Sequence, residues 1–164
     1  MTSLKMLRVD LQNDEKFDNL PESGLLKQWV ESSLLSAHEQ LEQTVRVVGE
    51  NESRTLNSQF RGINRSTNVL SFPSASDYLE YACLGDLVIC APVVTDEARQ
   101  QGKSMEAHWA HMVVHGMLHL QGYDHENDTD ARKWRLSRSK FYLHWVIVIR
   151  IISNLTSRGE SNNG

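Results

Sequence analysis

From residue 108 the chain reads His108-Trp-Ala-His111-Met-Val-Val-His115-Gly-Met-Leu-His119-Leu-Gln-Gly122-Tyr-Asp-His125. Met105, Trp109, Met112, Val113, Gly116 and Leu120 recur at i, i+3/i+4 spacing, which predicts a helix over Ser104–Gln121 with one apolar stripe. His115 and His119 are i and i+4, so both rings project from one helix face, about 5–6 Å apart at Cβ. Gly122 suits a left-handed exit from the helix, and the following turn can carry His125 back over the same face. Three neutral imidazoles leave a fourth position open on zinc, the arrangement of a catalytic rather than a structural site. His38, His108, His111 and His144 read as ordinary core or surface histidines.

Upstream, period and punctuation predict further elements. Leu7–Leu11 alternates as a half-buried strand and ends in the polar cluster Gln12-Asn13-Asp14-Glu15. Leu25, Leu26, Trp29, Val30, Leu34 and Leu35 predict a helix over Glu22–His38. Thr44–Val48 reads as a second strand. Asn51 suits the cap of a helix through Phe60, with Gly62 at its exit. Thr67–Phe72, stopped by Pro73, and Leu84–Cys90 are the third and fourth strands, and Pro92 opens a short helix to Gln101. Residues 74–82 form the one long loop. Four strands interspersed with helices imply an α+β or α/β sandwich, one sheet covered by helices.

Composition agrees with one ordinary globular domain: 164 residues, 40% hydrophobic and 23% charged. Two cysteines, Cys83 and Cys90, are too few for a disulfide scaffold and suggest reduced thiols in a cytoplasmic protein. The N-terminus reaches charge too early for a signal peptide. The apolar run Trp145–Ile149 falls far short of the roughly 18 residues of a membrane span. Net charge is -4 but unevenly placed: residues 1–131 hold 10 Lys and Arg against 20 Asp and Glu, residues 132–164 hold 7 against 1. The larger part therefore has no global field that gathers nucleic acid, and any RNA contact there must be local.

The histidine spacing equals that of metzincin proteases, H-E-x-x-H-x-x-G-x-x-H, except that Gly116 stands where those enzymes carry their general base. Protease chemistry thereby loses its proton acceptor. A second constellation runs from Asn57-Ser-Gln-Phe60-Arg61-Gly62 through Arg65 to Thr67-Asn68-Val-Leu-Ser71-Phe72-Pro73. Arg54 and Arg61, seven apart, fall on one side of the proposed helix, with Arg65 in the turn. This is the densest basic spot of an acidic domain. By residue type alone a helix-to-strand connection with solvated arginines is the favoured reading over a phosphate-binding cluster, because exposed arginine is common.

Taken together, Leu56-Asn-x-x-Phe-Arg-Gly, Thr67-Asn-Val-Leu-Ser-Phe-Pro, Leu84-Gly-Asp-Leu-Val-Ile-Cys and the histidine segment resemble the YbeY family of metal-dependent endoribonucleases, over about residues 5–131. The resemblance implies a single-domain α+β fold, a small mixed sheet of about four strands covered by helices with a metal cleft at the His-bearing helix. It also implies a zinc-dependent, single-strand-specific endoribonuclease of rRNA maturation, acting at the 3′ end of the small-subunit rRNA and in ribosome quality control. Its partners would be single-stranded rRNA and the ribosome or its small subunit, with no membrane. It implies His115, His119 and His125 as ligands of one Zn2+, Arg61 and His115 as catalytic residues, and Arg61, Asn68 and Ser71 against substrate. Asp86 and Asp124 are candidates for proton transfer or for orienting a ligand histidine. The alternatives are a metzincin-like peptide hydrolase and a ribosome-assembly factor with a structural metal.

Residues 132–164 depart from that pattern. Where family members continue with an acidic helix, this chain reads Arg132-Lys-Trp-Arg-Leu-Ser-Arg-Ser-Lys-Phe-Tyr-Leu-His-Trp145-Val-Ile-Val-Ile-Arg150. Trp has the single codon TGG, so a preceding codon ending in A yields ATG in a shifted frame. Permitted codons from Lys133 onward can then spell an acidic amphipathic segment that runs through Leu-Gly-Tyr to Arg-Asn-Pro. The expectation is a frameshift near Ala131, in the gene or its sequencing. A nucleotide sequence without a family-like alternative frame at codons 130–135 would sink it.

Overall fold

A computed structural model describes residues 6–35, 40–74 and 82–122 of the chain. Four strands, β1 (Met6–Gln12), β2 (Gln40–Val48), β3 (Val69–Pro73) and β4 (Ala82–Cys90), form one sheet in the order β1-β2-β4-β3. β1, β2 and β4 run parallel and β3 returns antiparallel along the edge of β4. The helices are α1 (Ser23–Ser32), α2 (Glu50–Arg61), α3 (Ala91–Gln101) and α4 (Met105–Leu120). This is the single α+β domain, with a four-stranded mixed sheet, that the sequence implies.

Strand alternation builds two cores, one on each side of the sheet. Leu41, Val45, Val47, Val69, Leu87 and Ile89 pack with Leu26, Trp29 and Val30 of α1 and Trp109, Val113 and Met117 of α4. Val48, Leu70, Val88 and Cys90 form a smaller core beneath α2, with Leu56 and Phe72 at its margin. The β3–β4 register sorts the residues between these faces: Ser71 lies opposite Leu87, and Phe72 opposite Asp86.

The alternation of β4 is interrupted once. Gly85 has φ +135°, and a Cβ there would run into the Phe72 carbonyl. A left-handed glycine at this point accompanies a register shift between Glu42 and Thr44 of β2. As a result Leu84 and Leu87, three apart, both pack toward α4. Buried Gln43 stitches the irregularity, its amide donating to the Gly85 and Thr44 carbonyls at 2.9 and 3.0 Å.

Two expectations need correction. α1 stops at Ser32, short of the expected His38. Ser32 Oγ and Ser33 Oγ donate to the Gln28 and Val30 carbonyls, each at 2.7 Å, a local bonding pattern that competes with helix propagation. Gln121 completes the stop, accepting from Leu35 N–H at 2.7 Å and donating to Ser33 O at 2.9 Å. Leu34 and Leu35 still pack on the core, so their helical spacing was misleading about backbone but right about burial. α2 is capped by Gly49 rather than Asn51, with Glu50 and Glu52 complementing the positive end of its dipole.

Candidate functional site

The site lies at the β3 edge, where the ends of α2 and α4 approach each other across the strand. Ser104 caps the start of α4, its side chain accepting from Ala107 N–H, and just beyond the helix Gly122, at φ +96°, donates to His119 O at 3.0 Å. The left-handed exit read from the sequence is therefore present. On the cleft side of α4, His115 and His119 bring their Nε2 atoms to 2.9 Å, with ring centroids 4.4 Å apart.

Gly116, on the neighbouring face, explains why the helix can sit so close. A Cβ at this position would lie 2.7 Å from Leu87 Cδ2 and 3.3 Å from Val69 Cγ2, both in the core. Ser71 Oγ donates to the Gly116 carbonyl at 3.2 Å, joining β3 to α4 directly. The position that holds the general base in metzincins is thus buried against the sheet here and has no room for a carboxylate.

α2 delivers Arg61 as its last residue, and Gly62 turns the chain away at φ +70°. The connection to β3 is held from below by two buried side chains. Asn57 donates to Arg65 O at 2.9 Å, while Ser53 Oγ donates to Thr67 O at 3.1 Å and accepts from Thr67 N–H at 3.0 Å. The result is a cleft of about 660 Å³ bounded by Phe60 and Arg61, the β3 edge, His115 and His119. Arg61, Asn68, Ser71, His115 and His119, five of the residues expected from the sequence, all line it.

Ser71 and Asn68 bond to neighbouring parts of the protein. Ser71 is engaged with Gly116. Asn68 donates to both Glu97 carboxylate oxygens, at 3.0 and 3.3 Å, and its own Oδ1 accepts from Val69 N–H at 2.7 Å. Glu97 also meets Nε2 of buried His108 at 3.1 Å. His108, read from the sequence as an ordinary histidine, thereby anchors a chain from α4 through α3 to β3. His111, next along α4, is held below the usual imidazole range, first by burial, then by Lys103 and His108, with Glu97 opposing.

Other expectations change. Asp86 is exposed, opposite Phe72 in the β3–β4 register, and is not among the residues that line the cleft. Arg54 does not join Arg61 in the cleft. It donates to Asn64 Oδ1 at 3.0 Å and borders a separate outer hollow with Ser58 and Gln59. Phe60 and Phe72 are cleft residues the sequence reading did not single out. They meet edge to face at 4.9 Å, and an aromatic directly before Arg61 was the available signal.

A metal can be tested against these donors. Two imidazoles whose ε nitrogens converge on one side of an open cleft fit two positions of a shared divalent cation. Among the described residues no three His, Cys, Asp or Glu side chains form a group that could hold a metal ion. His125 and Asp124, like the loop over 75–81 and the segment 132–164, lie outside the described residues. Among the described residues, no helix is long and apolar enough to cross a membrane.

The sequence matches the family described as endoribonuclease YbeY over residues 9–145. Membership implies an RNA-cleaving hydrolase of rRNA maturation, in a family that generally depends on a metal ion. The fold is also similar to the solution structure of TM1509 from Thermotoga maritima, with a TM-score of 0.54 and 28% identity, covering 93% of each chain. With a match spanning most of its length, the chain belongs to the endoribonuclease YbeY family.

Proposed function

We propose that this protein is a zinc-dependent endoribonuclease acting on single-stranded RNA, in small-subunit rRNA 3′-end maturation and ribosome quality control in the cytoplasm. The observation that carries this reading is the meeting of Arg61 with the paired His115 and His119 in one cleft. His115, His119 and His125 would hold the ion. Once bound, it would supply Lewis-acid polarisation of a phosphoryl oxygen.

The chain's own residues account for the rest. The Arg61 guanidinium is a planar fork suited to two phosphate oxygens and neutralises charge that develops on them. Among the described residues no Asp or Glu lines the cleft. RNA differs from a peptide in carrying its own nucleophile, the 2′-hydroxyl beside the phosphate, whereas peptide hydrolysis takes its nucleophile from water. Asn68 and Ser71 shape the floor, their polar atoms turned largely into the protein.

The test is cleavage of end-labelled single-stranded RNA, duplex RNA and an unstructured peptide, with and without chelator. Single-stranded RNA cut by the native chain, and lost on Arg61→Ala, on His119→Ala and on chelation, is the expected result. Peptide cleavage with RNA left intact would overturn it. Failure of the folded, zinc-loaded chain to cut either substrate would favour an assembly factor with a structural metal.

A further inference from the structure

We propose that Phe60 is a nucleobase-stacking platform that seats one unpaired base of the RNA beside the phosphate held by Arg61. The inference rests on the RNA-cleaving reading above and adds the element that would make that site select single strands.

Among the described residues, the large apolar side chains left exposed are Met6, 54% exposed at the start of the far edge strand β1, and Phe60, 65% exposed. A lone exposed hydrophobe is ordinary on a protein surface. Phe60 differs in its position. It borders the same cleft as His115 and His119 and immediately precedes Arg61.

Its ring is also braced. Phe72, packed at the margin of the core beneath α2, meets it edge to face at 4.9 Å with planes 70° apart. An edge-to-face contact of this kind restrains the ring and leaves most of its surface to solvent. A restrained aromatic beside a guanidinium is the pairing that single-strand binders use: the cation takes the backbone and the ring takes a base. In a duplex each base is already stacked on its neighbours and has no free face to offer. The ring therefore rewards an unpaired nucleotide alone.

The experiment uses the full chain loaded with zinc and short single-stranded RNAs carrying 2-aminopurine at successive positions. Wild type, Phe60→Leu and Phe60→Trp are compared by 2-aminopurine quenching and by KM and kcat, with circular dichroism as the folding control. The native chain is expected to quench one position strongly. Phe60→Leu should lose that quench and raise KM about ten-fold with kcat little changed, as expected for loss of one stacked base. Phe60→Trp should restore both. An abasic site at the quenched position should weaken wild type to a similar extent and Phe60→Leu no further.

Leu matching wild type, Trp behaving like Leu, or an abasic penalty of equal size in both proteins would overturn the stacking role while leaving the nuclease reading intact. A native chain that neither binds nor cuts RNA would overturn both.

Discussion

Gly116 and Leu87 set the distance between the histidine helix and the sheet: an added Cβ on the glycine would stand 2.7 Å from Leu87 Cδ2. Leu87 is fully buried, so its methyl cannot swing away freely. Gly116→Ala is expected to destabilise by about 1–3 kcal/mol through overpacking, against a smaller gain in helix propensity. Gly116→Glu should lower the melting temperature further and create no peptidase, because the carboxylate has no place in the cleft. Thermal denaturation together with a peptide-cleavage assay checks both outcomes.

The convergence of His115 and His119 predicts that metal binding stabilises the fold. At zinc a hundred-fold above its dissociation constant, a site of the native state alone adds about 2.7 kcal/mol. The rise in melting temperature should appear in wild type, vanish in His119→Ala and be reversed by chelator. Equal stabilisation of the variant would place the ion elsewhere.

Asn68 is expected to act on stability more than on substrate. Its amide is bonded to Glu97 and its carbonyl oxygen to Val69 N–H, so Asn68→Ala strands partly buried partners and should cost about 1–3 kcal/mol. Urea denaturation measures the loss. A large rise in KM without a shift of the urea midpoint would show instead that Asn68 contacts RNA.

His111 gives the stability a pH dependence of definite sign. Its imidazole is held below the ordinary range by burial, Lys103 and His108. The unfolded chain therefore binds that proton more readily, and stability falls as pH drops through about 6.5 toward the lower folded value, then levels off. His111→Gln removes this contribution, so urea midpoints near pH 7.5 and about pH 5.5 should differ less in the variant than in wild type. The same slope in both proteins would assign the effect to other groups.

The two thiols should separate by reactivity. Burial raises the Cys90 pKa above its ordinary value, with hydrogen bonding to Val93 and Ser53 only partly opposing, whereas Cys83 is half-buried. Alkylation of the native chain followed by peptide mass mapping is expected to label Cys83 first and Cys90 only on unfolding. Early labelling of Cys90 would contradict its burial.

Much of this protein could be read directly from residue order. The period of α4, the paired His115 and His119, and the glycine exits at Gly62 and Gly122 are local, since spacing and backbone preference suffice to specify them. The strand segments were legible for the same reason, as alternation survives in Leu41, Val45 and Val47. Local patterning could not reveal which side of the sheet Asp86 occupies, because one bulge at Gly85 resets the alternation of β4. Nor could it reveal that Ser33 and Gln121 end α1 early, or that Arg54 and Arg61 serve different hollows. Those outcomes depend on hydrogen bonds and packing between residues far apart in the chain. Residue order alone was enough for the family and for the pairing of His115 and His119 on α4. The tertiary structure alone decided that Asn68 belongs to Glu97, that Gly116 is a packing contact, and that Phe60 stands exposed beside Arg61, since each depends on which distant surface the fold brings into contact.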